Sequence, residues 1–177
     1  MSMTRSAFYT ALLIGPVISL EAFCEVYMTD EKAVDILFPG VKFEKSVLSL
    51  SPTEQKKIKD LSGETPRSDK ATVWRAKSGE WVFIDRVLGK HEYITYAVGV
   101  DSEGKVKGIE ILEYRESYGH EVRGRQWRAQ FIGKDKTAPL KLDQDIKNIS
   151  GATLSSSHIS AGVRRVLQTY ELLKSRT

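Results

Sequence analysis

The sequence has a single cysteine, Cys24, and only three histidines in 177 residues. A chain without cysteine after position 24 has no thiolate nucleophile, no iron–sulfur cluster and no CxxCH site for haem attachment. The histidines, His91, His120 and His158, are dispersed and lack the spacing of metal ligands, so we expect no metal site. Any redox chemistry in residues 25–177 therefore requires a cofactor that is not held by sulfur.

A strong charge of either sign is also absent. The formal net charge is +4, with 41% apolar and 28% charged residues. So mild an excess is typical of a soluble surface, and we expect no nucleic-acid partner. The length suits one domain and is too short for two comfortable ones. We therefore treat residues 25–177 as a single domain.

Long apolar runs are scarce, and the one that exists lies at the N-terminus. Arg5 precedes the apolar run 7–20, which has about 14 residues where a membrane-spanning helix needs about 20. A positive start, such a run and the small residues Ala22 and Cys24 are typical of a secretory signal with its cleavage site. We predict a cleaved signal peptide over residues 1–24 and a periplasmic or other extracytoplasmic location. An uncleaved membrane tether and a plain core helix are the alternatives.

Two short helices are predicted after this segment. Thr29 precedes acidic residues that suit the first turn of a helix, and Pro39 and Gly40 stop that helix. Ser51 followed by Pro52 and Glu54 has the pattern of a capping box, and it predicts a second helix that ends near residue 63.

The apolar period then changes to two. The predicted strands are 72–76, 81–85, 93–100 and 106–114, and the turns between them are too short for parallel crossovers. A short helix is expected around 125–131, and a long amphipathic helix from about Ser156 to Leu173. The fold class is therefore α+β: an antiparallel sheet of about four or more strands packed with the N-terminal helices and a long C-terminal helix.

The segment before the last helix is suited to holding a phosphate. Gly151 permits close backbone approach, Ala152 keeps the loop slim, and the following helix offers unpaired N–H groups with a partial positive charge. Hydroxyls of Ser150, Thr153 and Ser155 add hydrogen-bonding groups. Many helices are preceded by such loops without binding anything, so this pattern alone leaves the question open.

Ser150-Gly-Ala-Thr153, followed by Leu-Ser-Ser and a helix, resembles the FMN-binding domain of the RnfG and NqrC subunits of ion-pumping redox complexes. It is more similar still to the short, stand-alone exported members of that family. The resemblance also includes residues 26–40, the segment 114–122 and the stretch around Trp127. Residues 116–119 look like the family's Glu-Thr-Pro-Gly loop, which lies near the flavin.

The resemblance implies that a flavin transferase moves FMN from FAD onto the Thr153 hydroxyl to form a phosphoester. It implies further cofactor-binding residues: Ser150, Gly151, Ala152, Leu154, Ser155, Glu116, Tyr118, Gly119 and His120. Two positions depart from the family. Lys147 stands where many relatives carry Asp, with Asp145 the nearest carboxylate, and Tyr118 replaces Pro.

The leading hypothesis is an exported electron carrier that relays electrons between membrane-bound or periplasmic redox proteins. Nothing resembles a substrate-reducing site, so no catalytic residue is assigned and a stand-alone enzyme is not implied. An exported anion-binding module without redox activity is the alternative, and it would use the basic cluster Arg123, Arg125 and Arg128.

A serine hydrolase using Ser155, Ser156 or Ser157 with His158 is a third hypothesis. No Gly-x-Ser-x-Gly elbow supports it. We expect His158 and the pair Arg164–Arg165 to face solvent instead.

Overall fold

The computed structural model describes residues 25–116 and 118–176. The predicted signal peptide, residues 1–24, lies outside this part of the chain. The strands are β1 (Glu25–Val26), β2 (Phe43–Ser49), β3 (Lys70–Ala76), β4 (Trp81–Leu88), β5 (Tyr93–Val100) and β6 (Val106–Tyr114). The helices are α1 (Asp30–Leu37), α2 (Pro52–Ser62), α3 (Arg125–Arg128) and α4 (Thr153–Lys174), with 3-10 helices at His120–Arg123 and Ala129–Phe131.

The six strands form one sheet in the order β1-β6-β5-β4-β3-β2, and every neighbouring pair is antiparallel. The four predicted strands are the four central ones, β3 to β6. The α+β prediction is therefore confirmed, and β1 and β2 are additional strands at the two edges. The edge strand β2 exposes most of its side chains and lacks the apolar alternation that identifies a half-buried strand.

Helix capping follows the sequence prediction closely. The Thr29 side chain accepts a hydrogen bond from the Lys32 N–H at 3.3 Å at the start of α1. At the start of α2, Ser51 and Glu54 form both hydrogen bonds of the capping box, and Gly63 ends the helix. Each cap satisfies backbone groups that a helix end would otherwise leave unpaired.

The sheet is covered on both faces. On one face, α1 buries Ala33, Leu37 and Phe38 against Val82 of β4 and Ala97 of β5. On the other face, α4 buries a larger cluster against the sheet, with α2 packed beside it. Removal of this apolar area from water is the main stabilising contribution.

Helix α4 begins three residues earlier than predicted, at Thr153 rather than Ser156. Its buried face includes Ile159, Val163 and Tyr170, in agreement with the predicted apolar stripe. The prediction that Arg165 faces solvent is wrong: its side chain is 3% exposed and pairs with Asp85 at 2.6 Å. Within the described ranges, no helix is both long enough and apolar enough to span a membrane.

Candidate functional site

A cleft of about 360 Å³ opens at the N-terminal end of α4. Its walls come from three separate segments of the chain, namely the β4–β5 turn, the loop after β6 and the start of α4. The described lining residues are Lys90, His91, Glu116, Tyr118, Gly119, Gly151, Ala152, Thr153, Leu154 and Ser155. The structure therefore brings together the two segments that the sequence analysis predicted to bind the cofactor.

Antiparallel topology explains why these segments meet. Leu88 at the end of β4 is paired with Tyr93 at the start of β5, and Ile94 is paired with Tyr114 at the end of β6. The β4–β5 turn and the β6 exit therefore lie at the same end of the sheet, where these strands end. Helix α4 packs on the sheet with its N-terminal part at that end. There the His158 imidazole contacts the Leu88 carbonyl oxygen through Nδ1 at 2.5 Å.

Thr153 is the first residue of α4, and its side chain is exposed in the cleft. The Asn148 side-chain amide donates to Thr153 Oγ1 at 3.2 Å. The orientation of this amide is fixed, because its oxygen accepts a hydrogen bond from the Ile149 N–H at 2.8 Å. Thr153 Oγ1 therefore accepts from Asn148, and its hydroxyl hydrogen can be donated to another group in the cleft.

The first turn of α4 has no side-chain cap. Its N-cap residue is Ala152, which has no side-chain acceptor, so the N–H groups of Thr153, Leu154 and Ser155 have no intrahelical partner. These groups carry the partial positive charge of the helix N-terminus and favour an anion. Gly151 has a φ of +84°, and a Cβ there would meet no atom within 4 Å, so the loop backbone faces open space.

A chain of hydroxyl groups joins the β6 exit to α4. The Tyr114 hydroxyl lies 2.5 Å from the Tyr118 carbonyl oxygen and 2.9 Å from Ser155 Oγ. A carbonyl oxygen only accepts, so Tyr114 donates to Tyr118 and Ser155 donates to Tyr114. Burial raises the pKa of Tyr114, which keeps the phenol protonated as this arrangement requires.

Gly119 is required at this contact. A Cβ at this position would lie 2.5 Å from the Tyr114 hydroxyl and 2.7 Å from Ser155 Oγ. Its φ of +92° is also a conformation that residues with a side chain rarely adopt. The close approach of the loop after β6 to the start of α4 therefore depends on the absence of a side chain at position 119.

Glu116 links the loop after β6 to the β4–β5 turn. Its Oε1 accepts hydrogen bonds from the backbone N–H groups of His91 at 2.5 Å and Glu92 at 3.0 Å. Burial raises the pKa of Glu116, but hydrogen bonds from the backbone of Glu92, His91 and Lys90 outweigh it, so the pKa is lowered overall. The ionised carboxylate thus fixes one wall of the cleft.

Apolar surface and positive charge meet at the mouth of the cleft. The side chains of Tyr118 and Leu154 are 83% and 50% exposed, and both line the cleft. Lys90 is exposed, and it lines the cleft together with His91. These two residues were not predicted from the sequence, although the predicted β4–β5 hairpin places its turn at the same end of the sheet as the β6 exit.

The loop before Thr153 is supported from behind. The Trp127 indole N–H donates to the Lys147 carbonyl oxygen at 2.9 Å, and the Lys147 N–H donates to Gln130 Oε1 at 2.7 Å. Asp145 accepts hydrogen bonds from the backbone N–H of Lys141 and from the Lys134 ammonium group, so its carboxylate belongs to a turn. Lys147, which stands where many relatives carry Asp, therefore has an exposed side chain and a backbone held by hydrogen bonds.

Two predicted site residues do not line the cleft. Ser150 is exposed in the loop, and His120 is exposed at the start of a 3-10 helix. Two members of the basic cluster are also engaged elsewhere: the Arg123 guanidinium stacks on Tyr27 at 3.3 Å from the ring centre, and Arg128 pairs with Glu110. These contacts keep both guanidinium groups on partners outside the cleft.

Two of the three serines considered for a hydrolase, Ser155 and Ser156, have hydroxyls bonded in ways that do not involve His158. Ser155 donates to Tyr114, and Ser156 Oγ donates to the Ala152 carbonyl oxygen at 2.9 Å. The expectation that His158 faces solvent is wrong, because the ring is half-buried and bonded to Leu88. Among the described residues, no serine hydroxyl is hydrogen-bonded to this imidazole, so the arrangement lacks the serine–histidine contact of a hydrolase.

Comparison with known protein families gives a match over part of the chain. Residues 89–168 match a family model described as an FMN-binding domain. This segment begins at the β4–β5 turn and continues through most of α4, so it includes every described residue that lines the cleft. No curated protein matches the chain.

Proposed function

Since residues 89–168 match the FMN-binding domain family, we propose that this chain is an exported electron-transfer flavoprotein with FMN joined covalently to Thr153. In this proposal the protein relays electrons between membrane-bound or periplasmic redox proteins and is not a stand-alone enzyme. The observation that carries the proposal is the position of Thr153, whose exposed hydroxyl stands at the uncapped N-terminus of α4 inside the cleft.

The attachment is a phosphoryl transfer from FAD. The bond between Thr153 Oγ1 and the FMN phosphorus forms, the pyrophosphate bond of FAD breaks, and AMP leaves. The Thr153 hydroxyl loses its proton, which a base of the flavin transferase accepts. Asn148 supports this step because it occupies an acceptor position of Oγ1 and leaves the proton directed away from itself.

The surroundings of Thr153 suit a phosphodiester anion and an aromatic ring. The free N–H groups of Leu154 and Ser155 and the nearby Lys90 offer the positive partners that a phosphate needs. The exposed side chains of Tyr118 and Leu154 offer apolar surface for a ring. Bound FMN would supply one- and two-electron chemistry, which the side chains of this chain lack.

Export gives a physical reason for a covalent bond. A cofactor bound reversibly outside the cytoplasm is lost by dilution, whereas a tethered one keeps a fixed effective concentration at its site. The predicted signal peptide agrees with such a location. The absence of cysteine after position 24 agrees with a cofactor held through oxygen.

Co-expression of the full chain with a flavin transferase tests the attachment. We expect a mass gain of one FMN minus one water and a yellow colour that survives denaturation. Thr153→Ala should lose both, and Thr153→Ser should retain both at a reduced yield. Ser157→Ala is the matched control, since this exposed α4 hydroxyl does not line the cleft. Attached flavin in Thr153→Ala would refute the assignment of Thr153.

Electron transfer is tested separately with the flavin-loaded protein. Membranes from the native host, supplied with a reductant, should bleach the flavin absorbance, and fractionation should recover the protein outside the cytoplasm. A protein that stays colourless with an active transferase would support the anion-binding alternative instead. A loaded flavin that no membrane fraction reduces or oxidises would contradict the electron-carrier role and leave the attachment intact.

A further inference from the structure

A second cavity, of about 380 Å³, lies where strands β3 and β4 separate. We call it the seam cavity. Its walls include Phe83, Asp85 and Arg86 of β4, Arg165 of α4, and Arg67 and Lys70 from the segment leading into β3. Arg165 is twelve residues along α4 from Thr153, about 18 Å at 1.5 Å per residue, so this cavity is separate from the cleft at Thr153.

The cavity exists because the two strands stop pairing before they end. The last β3–β4 pair at this end is Thr72 with Ile84, yet β3 begins at Lys70 along β2 and β4 continues to Leu88 along β5. Successive residues of a strand point to opposite faces of a sheet. Both Ile84 and Asp85 line the cavity, so the opening passes through the plane of the sheet.

Arg165 replaces the missing strand partner. Its guanidinium donates to Asp85 Oδ2 at 2.6 Å and to the Arg86 carbonyl oxygen at 3.1 Å. The Tyr96 hydroxyl donates to the same Asp85 oxygen at 2.9 Å. The buried cation is therefore balanced by one carboxylate, and this wall of the cavity is neutral and rigid.

The remaining charges at the seam cavity are positive. Arg67, Lys70 and Arg86 are exposed and, within the described part of the chain, form no ion pairs. The inner surface includes the buried apolar side chains of Phe83 and Val166 beside polar groups such as Thr169. A cavity of this size, which combines apolar side chains with convergent polar groups, has features of a small-molecule site.

We propose that the seam cavity binds a small organic anion, a carboxylate or a phosphate monoester with an apolar body. The apolar body lies against Phe83 and Val166, and the anionic group lies near Arg67 and Lys70. Guanidinium groups favour carboxylate and phosphate because two N–H donors match two oxygens. This inference does not depend on the attachment of flavin to Thr153.

Titration of the purified flavin-free chain, followed by isothermal calorimetry and amide NMR, tests the proposal. Benzoate and phenyl phosphate are the anionic probes, and benzamide is the neutral probe of the same shape. We expect saturable binding of at least one anion, shifts centred on residues 83–86 and 165–169, and at least tenfold weaker binding of benzamide. Tighter binding of benzoate or of phenyl phosphate shows whether the site prefers a carboxylate or a phosphate monoester.

The variant Arg67→Gln/Lys70→Gln should weaken binding of the preferred anion at least tenfold. Lys57→Gln/Lys59→Gln is the control, because it removes the same charge from exposed positions of α2 that do not line the cavity. Absence of saturable anion binding at millimolar concentration would overturn the proposal. Equal binding of benzamide, or equal losses in the two double variants, would also overturn it.

Discussion

The pair formed by Arg165 and Asp85 gives the sharpest test of how this fold is stabilised. The Arg165 side chain is 3% exposed and that of Asp85 is 21% exposed, and their N–O distance is 2.6 Å. Asp85→Ala removes the only carboxylate bonded to this guanidinium in the described residues and also the acceptor of the Tyr96 hydroxyl. The change leaves a buried positive charge without a counter-charge.

The size of the effect follows from burial. Breaking a buried ion pair by removing one partner costs about 3–5 kcal/mol. Because Asp85 keeps about a fifth of its side chain in contact with water, we expect the lower end, about 3 kcal/mol in the free energy of unfolding. For a chain of this length, that loss lowers the melting temperature by about 6–12 °C.

A double variant separates charge from packing. Asp85→Ala/Arg165→Met removes both charges, so most of the loss should be regained, with about 1 kcal/mol remaining for the unbonded Tyr96 hydroxyl. Urea unfolding of the single and the double variant measures the loss in Asp85→Ala and the part of it that Arg165→Met restores. Asp60→Ala is the surface control, since the pair Lys56–Asp60 is exposed and should contribute less than about 1 kcal/mol. A loss in Asp85→Ala no larger than this control would refute the reasoning.

Three further changes test the cleft. Gly119→Ala should cost about 2–4 kcal/mol, because its methyl group would lie 2.5 Å from the Tyr114 hydroxyl at a positive φ; an unchanged urea midpoint would count against this. Glu116→Gln should remove stability that is present above pH 4.5 and is lost as the pH falls through the lowered pKa of the folded carboxyl. The free energies of unfolding of the wild type and the variant, plotted against pH, should therefore converge in acid, and a constant gap between them would contradict this. Trp127→Phe should cost about 1 kcal/mol by removing a loop hydrogen bond, measured against Trp74→Phe, whose indole N–H has no partner among the described residues.

Local signals were sufficient for most of the fold. The cap residues Thr29 and Ser51 determine the starts of α1 and α2, and alternation identifies the four central strands. The loop around Thr153 could be located because glycine, small residues and hydroxyls precede an amphipathic stripe. These features depend on residues that are close in sequence, which is why pattern and propensity reveal them.

Features that depend on distant residues were not predictable. Strand β2 forms because β3 offers it a partner, and its own charged residues Glu44 and Lys45 indicate no strand. Arg165 is indistinguishable by pattern from its neighbour Arg164, and only the gap between β3 and β4 lets it reach its partner Asp85. The roles of Asn148 and Tyr114 likewise depend on contacts that appear only when loop and helix meet.

The position of Thr153 on α4 has a mechanical consequence. This helix is 22 residues long, about 33 Å, and its buried face is embedded in the main core. A group attached to its first residue cannot travel between partners as a swinging arm does, because carrying the anchor over such a distance would require displacing α4 from the core. Transfer rates would then depend on how closely each partner protein docks at this end of the sheet, and tether length would have no influence.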